Sequence, residues 1–370
     1  MRTSDDVVRQ DLNYICGSLK DELGGMEGGR VFISGGAGFL GYYLVQTLLH
    51  WNSNASGKPI SVVVFDNFIR GVPEWLGKLA GKDKALTVVQ HDITTPLPDD
   101  AGSFTHFIHA ASIASPAYYR KHPIETMDAN VQGLRLLLDR ARTQKERGEA
   151  LNGFLFFSSS EVYGDPVPDR IPTPETYWGN VSCTGPRACY DESKRYGETL
   201  CVNFCRQYEL PIKVARPFNN YGPGLKLTDR RVIPDFVTNL LGGNDLVLLS
   251  DGSPTRTFCY VADAIVGYYK ILTKGKPGEA YNIGTESPEI SMMQLAELLR
   301  DIAAEVLGYK GQVIRRSSTD REYLTDNPQR RCPSIAKARS ELGFTPQIEI
   351  DEGLRRTLLW YNANRSGIDA

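Results

Sequence analysis

Short apolar runs alternate with amphipathic segments along much of the chain. Beginning at Arg30, the runs RVFISGG, SVVVFDN, ALTVVQHDI, FTHFIHAAS and GFLFFSSS predict buried strands, since each is rich in branched or aromatic residues and ends near turn residues. The segment FLGYYLVQTLLHW, between the first two runs, predicts a helix. Buried strands that alternate with helices are typical of a parallel sheet covered on both faces. The pattern therefore predicts an α/β fold with a doubly wound parallel sheet.

Two longer segments carry apolar positions at helical spacing. In HPIETMDANVQGLRLLLDRA these positions are Ile124, Met127, Val131, Leu134 and Leu138. In CYDESKRYGETLCVNFCRQYE they are Gly197, Leu200, Cys201, Phe204 and Tyr208. Both faces could cover the protein's own sheet, or they could meet the same helices of a second copy. On the second interpretation we predict a homodimer.

The pattern divides the chain into three parts. Residues 1–28 predict a short helix that ends in the glycine-rich GGMEGG, an arm appended to the rest. Residues 29–216 contain the predicted sheet. Beyond them, more Pro, Gly and Arg in RRVIPDF, DGSPTRTF and NPQRRCP predict a smaller C-terminal α/β substrate domain over 217–370. Residues 255–284 are expected to return to the first domain.

Composition and charge limit the partners of the protein. The 370 residues include 42 basic and 44 acidic side chains, a net charge of −2, so no overall positive field favours nucleic acid or an anionic membrane surface. We therefore expect a small-molecule substrate. No stretch approaches the roughly 20 apolar residues of a membrane span. The acidic first segment is unlike a signal peptide.

Cysteine and histidine usage adds two expectations. The seven cysteines are odd in number and include no C-x-x-C pair, which is typical of reduced thiols in a cytoplasm. His106 and His109 form an H-x-x-H, but this lies in a predicted strand rather than a helix, so we expect no metal site.

A glycine-rich turn joins the first strand of the sheet to the first helix. SGGAGFLG has the pattern G-x-x-G-x-x-G, in which glycines allow a tight turn and the approach of a pyrophosphate to the helix N-terminus. The next strand ends in Asp66, whose carboxylate can hold the ribose hydroxyls of NAD and would repel the extra phosphate of NADP. Arg70 is close by, so NADP stays an alternative cofactor. We predict a Rossmann-type NAD site that includes Gly35, Gly38, Phe39, Leu40, Gly41, Asp66, Asn67, Asp92 and Ile93.

A tyrosine and a lysine four positions apart, Tyr190 and Lys194, begin the second amphipathic segment. Four residues make about one helical turn, so the ammonium can lower the pKa of the phenol. A phenol with an ordinary pKa of about 10 needs a shift of about 3 units, roughly 4 kcal/mol, to act as a base at neutral pH. Lys194 and the positive nicotinamide ring of NAD can together supply it, which places both residues at the cofactor. Ser158 to Glu161, at a strand end, offer hydroxyl donors for a substrate oxygen.

These motifs, in this order, resemble the extended short-chain dehydrogenase/reductase superfamily of nucleotide-sugar enzymes. Within it, HAASIASPAYY, SSSEVYG, YWGNVSCTGPRACYDESKR, RPFNNYGPG, SPTRTFCYV and NPQRRCPSI are similar to the UDP-glucuronate decarboxylases that form UDP-xylose. The resemblance runs from about Arg30 to the C-terminus, nearly the whole chain. It implies a Rossmann fold, an NAD cofactor, a UDP-sugar substrate bound by the C-terminal domain, and a homodimer in which two such helices per subunit form a four-helix bundle.

The resemblance also assigns roles to individual residues. The catalytic residues it implies are Ser159, Ser160, Glu161, Tyr190, Lys194 and Arg256, of which Ser159, Tyr190 and Lys194 form the catalytic triad. Arg231 and Arg331 are expected at the nucleotide diphosphate, and Arg256 at the sugar. The substrate-binding residues it implies are Tyr119, Arg187, Asn219, Arg231, Arg256 and Arg331.

Three interpretations of the activity remain open from the sequence. The first is oxidative decarboxylation of UDP-glucuronate, and the second is another change at C4 or C6, a 4-epimerisation or a 4,6-dehydration. Ser160 stands where dehydratases of this superfamily carry an aspartate, which counts against dehydration. The third, a non-catalytic binding scaffold, conflicts with the retained Ser159, Tyr190 and Lys194. Pro217, Arg230 and the segment SPEIS depart from the relatives' pattern near the expected substrate side.

Overall fold

Seven parallel strands form the central sheet of the structure, a computed structural model that describes residues 4–318 and 325–365. The strands of the chain are β1 (Arg30–Ser34), β2 (Ser61–Asp66), β3 (Leu86–Gln90), β4 (His106–His109), β5 (Gly153–Phe157), β6 (Ile212–Pro217), β7 (Asn220–Tyr221), β8 (Leu246–Leu248), β9 (Thr255–Arg256), β10 (Cys259–Tyr260), β11 (Ala280–Ile283), β12 (Ile290–Ser291), β13 (Val313–Arg315) and β14 (Arg330–Arg331). Across the central sheet their order is β11–β6–β5–β4–β1–β2–β3. The predicted α/β class with a doubly wound parallel sheet is confirmed.

Helices cover both faces of this sheet. They are α1 (Ser4–Ser18), α2 (Lys20–Gly24), α3 (Phe39–Asn54), α4 (Glu74–Ala80), α5 (Pro116–Lys121), α6 (Pro123–Asp128), α7 (Leu134–Glu146), α8 (Ala188–Tyr208), α9 (Val232–Leu241), α10 (Val261–Lys274), α11 (Met292–Leu307), α12 (Ala336–Leu342) and α13 (Ile350–Ala363). Successive strand residues point to opposite faces, so Val31 and Ile33 share one core with α3 and α10, while Phe32 belongs to a second core with α7 and α8. In the part of the chain that is described, no helix is long and apolar enough to cross a membrane.

The apolar face of α8 that suggested a homodimer lies inside the subunit. Cys201 and Phe204 are buried in the same core as the sheet residue Phe156, and a side chain at Gly197 would lie 2.6 Å from the Phe156 ring. This face therefore covers the protein's own sheet, the other interpretation of its periodicity. The predicted helix before it is interrupted by a π-helical turn, Ala129–Gly133, which separates α6 from α7.

The N-terminal segment expected as an arm is packed against the rest of the protein. Helix α1 contacts α3, α10 and α13, and its Asp11 is fully buried. The Asp11 carboxylate accepts hydrogen bonds from the hydroxyls of Tyr43 (2.6 Å) and Tyr260 (2.7 Å), and it pairs with the Arg356 guanidinium at 2.7 Å. One buried carboxylate thus joins elements from three distant parts of the chain.

The chain beyond β6 forms smaller sheets beside the central one. Strands β9, β12 and β14 pair in one of them, and its register places Arg331 opposite Arg256. Strand β11, within the predicted returning segment 255–284, lies at the edge of the central sheet next to β6. The exact domain boundaries stay predictions.

Candidate active site

The glycine turn forms a cradle at the carboxyl ends of β1 and β2. Gly35 has φ +73°, and a side chain there would lie 2.6 Å from the Ala111 backbone. A side chain at Gly41 would overlap the backbone of Gly36. Gly38 precedes α3, and no side chain caps the first turn of the helix, which contains Phe39 and Leu40. The free N–H groups of that turn suit a pyrophosphate.

Asp66 lies beside this cradle at the end of β2. Its carboxylate accepts hydrogen bonds from the backbone N–H groups of Ala37 (3.0 Å) and Phe68 (2.9 Å), which fix its position next to the glycine turn. Burial raises the pKa of Asp66, although these two hydrogen bonds oppose the effect. The cradle and the carboxylate together fit the diphosphate and the ribose of a dinucleotide.

The other predicted cofactor residues contact nearby loop residues. The Asn67 side chain accepts from the N–H of Ile69. Asp92 is exposed and accepts from the N–H of Thr94, which lowers its pKa. Ile93 is buried, close to Gly133 of the π-helical turn. Arg70, which kept NADP open, points to the C-terminal part and stacks over the Tyr118 ring at 4.6 Å.

Tyr190, Ser159 and Lys194 come together where β5 meets α8. Ser159 lies close enough to the Tyr190 hydroxyl to lower its pKa, and the Tyr190 ring stacks on Tyr119 with centroids 5.1 Å apart. Burial raises the pKa of Tyr190 to about 12, despite Ser159 and the nearby Arg231. Burial also lowers the pKa of Lys194 to about 7. Without a cofactor, burial therefore outweighs the lowering of the Tyr190 pKa that the sequence led us to expect from Lys194.

Glu161 lies between two arginines. Arg187 pairs with it at 2.5 Å, and Arg331 donates two hydrogen bonds at 2.6 and 2.5 Å. Burial alone would raise the pKa of Glu161, but the two guanidinium groups outweigh it and lower the pKa to about 2. Glu161 is therefore ionised at neutral pH. Ser160, the residue before it, is buried.

Two further predicted substrate residues are arginines, Arg256 near this ion cluster and Arg231 near Tyr190. Arg256 is buried, and it donates to the carbonyl oxygens of Gln329 (3.2 Å) and Pro328 (2.5 Å), which are neutral acceptors. Burial and the neighbouring Arg331 lower its pKa to about 9. Arg231 is close enough to Tyr190 to lower its pKa, and it pairs with Asp229 at 2.6 Å.

Two loop residues of the substrate side adopt left-handed backbone conformations. Asn219 has φ +42°, and its side chain donates to the carbonyl oxygen of Thr257 at 2.8 Å. Arg230, one of the departures from the relatives' pattern, has φ +63°. Left-handed conformations cost most residue types free energy, and asparagine tolerates them better than arginine.

Asp191 is a member of the cluster that the sequence analysis missed. It is buried next to Arg187, and burial together with the charge of Glu161 raises its pKa to about 8. One of its carboxyl oxygens and the Tyr119 hydroxyl have no hydrogen-bond partner among the described residues. The signal was its position, directly after Tyr190 and one helical turn after Arg187. Within the described residues, no group of His, Cys, Asp and Glu is arranged to hold a metal ion.

Comparison with known proteins identifies the site's relatives. The NAD dependent epimerase/dehydratase family matches residues 31–284. The chain is 37% identical over 325 residues to UDP-glucuronic acid decarboxylase 3 from Arabidopsis thaliana, covering 88% of this chain and 86% of that protein.

Two solved structures show the same fold. An epimerase from Methanothermobacter thermautotrophicus has a TM-score of 0.79 and 26% identity, covering 95% of this chain and 98% of that one. A dTDP-glucose 4,6-dehydratase from Streptomyces venezuelae, solved with NAD bound, has a TM-score of 0.75 and 28% identity, covering 91% and 98%. With its glycine cradle, its Ser–Tyr–Lys constellation and these likenesses over most of its length, the chain belongs to the NAD dependent epimerase/dehydratase family.

Proposed function

We propose that this protein oxidises and decarboxylates UDP-glucuronate, giving UDP-xylose or a UDP-4-keto-pentose. The likeness to a UDP-glucuronic acid decarboxylase supports this, but the charge of the site is the observation that carries it. The guanidinium groups of Arg187 and Arg331 pair with the ionised carboxylate of Glu161, and Arg256, which donates to carbonyl oxygens, adds a third positive charge. Asp191, with a pKa of about 8, is mostly protonated at neutral pH. This excess of positive charge suits a substrate whose sugar carries a carboxylate.

NAD is the cofactor in this proposal. When bound, it takes a hydride from C4 of the sugar and can return it at the end of the reaction. The residues that would hold it are the glycine turn and Asp66. The fixed carboxylate of Asp66 favours NAD over NADP, and the contacts of Arg70 with Thr228 and Tyr118 direct its charge away from the ribose position.

Tyr190 is the base of the proposed reaction. Its phenolate oxygen, close to Ser159, accepts the proton of the C4 hydroxyl and becomes the neutral phenol. Because burial holds the pKa of Tyr190 at about 12, positive charge must lower it in the working complex. Lys194, whose Nζ lies 5.6 Å from the centre of the Tyr190 ring, is placed to contribute that charge.

Loss of carbon dioxide follows from the product of the oxidation, which is a β-keto acid. The C5–C6 bond breaks, and its electron pair moves onto the C4 oxygen, which Ser159 and Tyr190 stabilise. C5 then takes up a proton, and reduction at C4 gives the pentose. Glu161, ionised and paired with two arginines, has no proton to give. Its negative charge instead favours departure of the substrate carboxylate as neutral carbon dioxide.

Two other reactions remain to be separated from this one. A 4,6-dehydratase must protonate a leaving C6 hydroxyl, and neither Ser160 nor ionised Glu161 can do so. A 4-epimerase needs no such acid, and one structural neighbour is an epimerase. It is therefore the second candidate.

The experiment is incubation of the purified protein and NAD with UDP-glucuronate labelled at the carboxyl carbon. We expect labelled carbon dioxide and a UDP-pentose by mass spectrometry. Conversion to UDP-galacturonate without gas would establish the epimerase, and loss of water from a neutral hexose nucleotide would establish the dehydratase. Tyr190→Phe is the control. It should abolish turnover but keep UDP-glucuronate and NAD binding, because only one hydroxyl is removed.

A homodimer and a cytoplasmic location belong to the same proposal. Ile124 and Met127 of α6 and Tyr196 of α8 are exposed, and α6 packs beside α8. These residues, rather than the buried face of α8, are suited to meet a second copy. The seven cysteines are all free thiols, in keeping with a reducing compartment. Light scattering of Met127→Glu against the wild type at micromolar concentration tests the dimer; a wild-type monomer would refute it.

A further inference from the structure

Helix α8 holds the end of β5 along three consecutive residues. Lys194 donates a hydrogen bond to the Phe157 carbonyl oxygen, Glu198 accepts one from the Ser158 hydroxyl, and Ser159 lies close enough to Tyr190 to lower its pKa. The three α8 residues are spaced at intervals of four. Side chains at this spacing share one side of a helix. Two of the three contacts belong to the proposed catalytic residues, and the third, through Glu198, has no role in the chemistry described so far.

Hydrogen bonds from Ser158 and Arg216 hold the Glu198 carboxylate in place. Its Oε1 accepts a hydrogen bond from the Ser158 hydroxyl, with 2.5 Å between the two oxygens. Arg216 binds both of its oxygens, at 2.8 and 2.5 Å, and the same guanidinium donates to the Tyr163 hydroxyl at 2.7 Å. A bidentate pair of this kind has one preferred geometry. Glu198 therefore sets the position of the Ser158 side chain, and with it the direction in which the next residue, Ser159, leaves the strand.

Glu198 is also the source of negative charge beside Lys194. The titratable groups that face the Lys194 ammonium are Tyr190, Glu198 and Cys201 on α8 and His109 on β4, with Arg216 of β6 behind Glu198. Burial lowers the pKa of Lys194 to about 7, and Cys201 and Glu198 oppose that effect. Because burial holds the pKa of the Cys201 thiol well above its usual range, the thiol is uncharged at neutral pH. Glu198, one helical turn from Lys194, is thus the carboxylate whose negative charge favours the ammonium form.

We propose that Glu198 is a positioning residue of the active site, which aligns Ser159 with Tyr190 through Ser158 and places a negative charge one helical turn from the Lys194 ammonium. The inference rests on the proposed roles of Ser159, Tyr190 and Lys194. The two tasks use different properties of one side chain, its length and its charge. Substitutions that change one property at a time can therefore separate them.

Two variants test the two proposed effects of Glu198 separately, and a third serves as the control. Glu198→Gln keeps an oxygen for the Ser158 hydroxyl but removes the charge. Glu198→Asp keeps the charge but is one methylene too short to reach Ser158 and Arg216 together. Glu192→Gln removes a carboxylate from the same helix at an exposed position. Thermal unfolding of each variant shows that it is folded, and Ser158→Ala repeats the loss of the contact if Glu198→Asp does not fold.

Activity is read as kcat and KM against pH with UDP-glucuronate. We expect activity to be lost at high pH, where Lys194 loses its charge. In Glu198→Gln the alkaline fall of kcat should therefore occur about one pH unit lower than in the wild type. Glu198→Asp should leave the limb in place and lower kcat roughly 10-fold to 100-fold with little change in KM, because the alignment of Ser159 is lost. The control should match the wild type. An unmoved limb in Glu198→Gln, or an unchanged kcat in both Glu198→Asp and Ser158→Ala, would overturn the proposal.

A second readout does not depend on the substrate. Lysine labelled with ¹³C at Cε reports each ammonium by NMR, and the Lys194 signal is assigned by its absence in Lys194→Met. In the protein without substrate, Glu198→Gln should lower the Lys194 titration midpoint by about one pH unit, whereas Glu198→Asp and Glu192→Gln should not. If the wild type fails to act on UDP-glucuronate, the proposed function fails, and this titration still decides the role of Glu198.

Discussion

Replacement of Glu161 by glutamine tests the charge arrangement of the site most directly. The side chain is 15% exposed and lies between Arg187 and Arg331, which lower its pKa from 4.5 to about 2. Because the pKa is lower in the folded state, the ion pairs stabilise the protein above pH 4.5, and this contribution is lost as the pH falls toward 2. The shift corresponds to about 3 kcal/mol at pH 7, and about 2 kcal/mol of it is gone at pH 3.

Glu161→Gln should therefore be less stable than the wild type by about 3 kcal/mol at pH 7 but by only about 1 kcal/mol at pH 3. Urea unfolding of the protein without ligands, followed by tryptophan fluorescence at both pH values, measures the difference. Glu192→Gln, at an exposed carboxylate, is the control and should differ little from the wild type at either pH. A difference for Glu161→Gln that does not change with pH would refute the view that an ionised Glu161 holds the two arginines.

The other predictions concern the cofactor cradle and the N-terminal helix. Asp66→Ala should weaken NAD binding about 10-fold or more and reduce the preference over NADP, since it removes the ribose acceptor; tighter NADP binding by the wild type, measured by titration, would contradict this. Gly41→Ala forces α3 away from the backbone of Gly36 and should destabilise the protein by about 1–3 kcal/mol and weaken NAD binding. Asp11→Ala leaves Arg356 with Glu352 as its remaining carboxylate and removes the acceptor of the Tyr43 and Tyr260 hydroxyls, so it should cost about 3–5 kcal/mol in urea unfolding. If Asp11→Ala lowers the free energy of unfolding by less than about 1 kcal/mol, the Asp11–Arg356 pair contributes little to stability.

Local patterns of the sequence were enough to predict the sheet and the cradle. Strands and the glycine turn are set by neighbouring residues, so their positions follow from runs of a few letters. The periodicity of α8 predicted a helix with an apolar face, but it could not say whether Phe156 of the same subunit or a second copy covers that face. The partners of Glu161 and Asp191 were also beyond the sequence, because Arg331 is 170 positions away from Glu161. The effect of burial on the pKa of Tyr190 depends on all the elements packed around it.

The Asp11 contact has a consequence for how the protein is made. Asp11 leaves the ribosome long before its cation, Arg356, which follows 345 positions later. Until then, the carboxylate has no opposite charge to compensate for its burial, so the docking of α1 is unfavourable. The buried side chains of α1, including Leu12 and Ile15, stay open to chaperones during that interval. A message truncated before the codon for Arg356 should therefore yield a chain in which the sheet forms but α1 docks poorly and leaves its apolar side chains exposed.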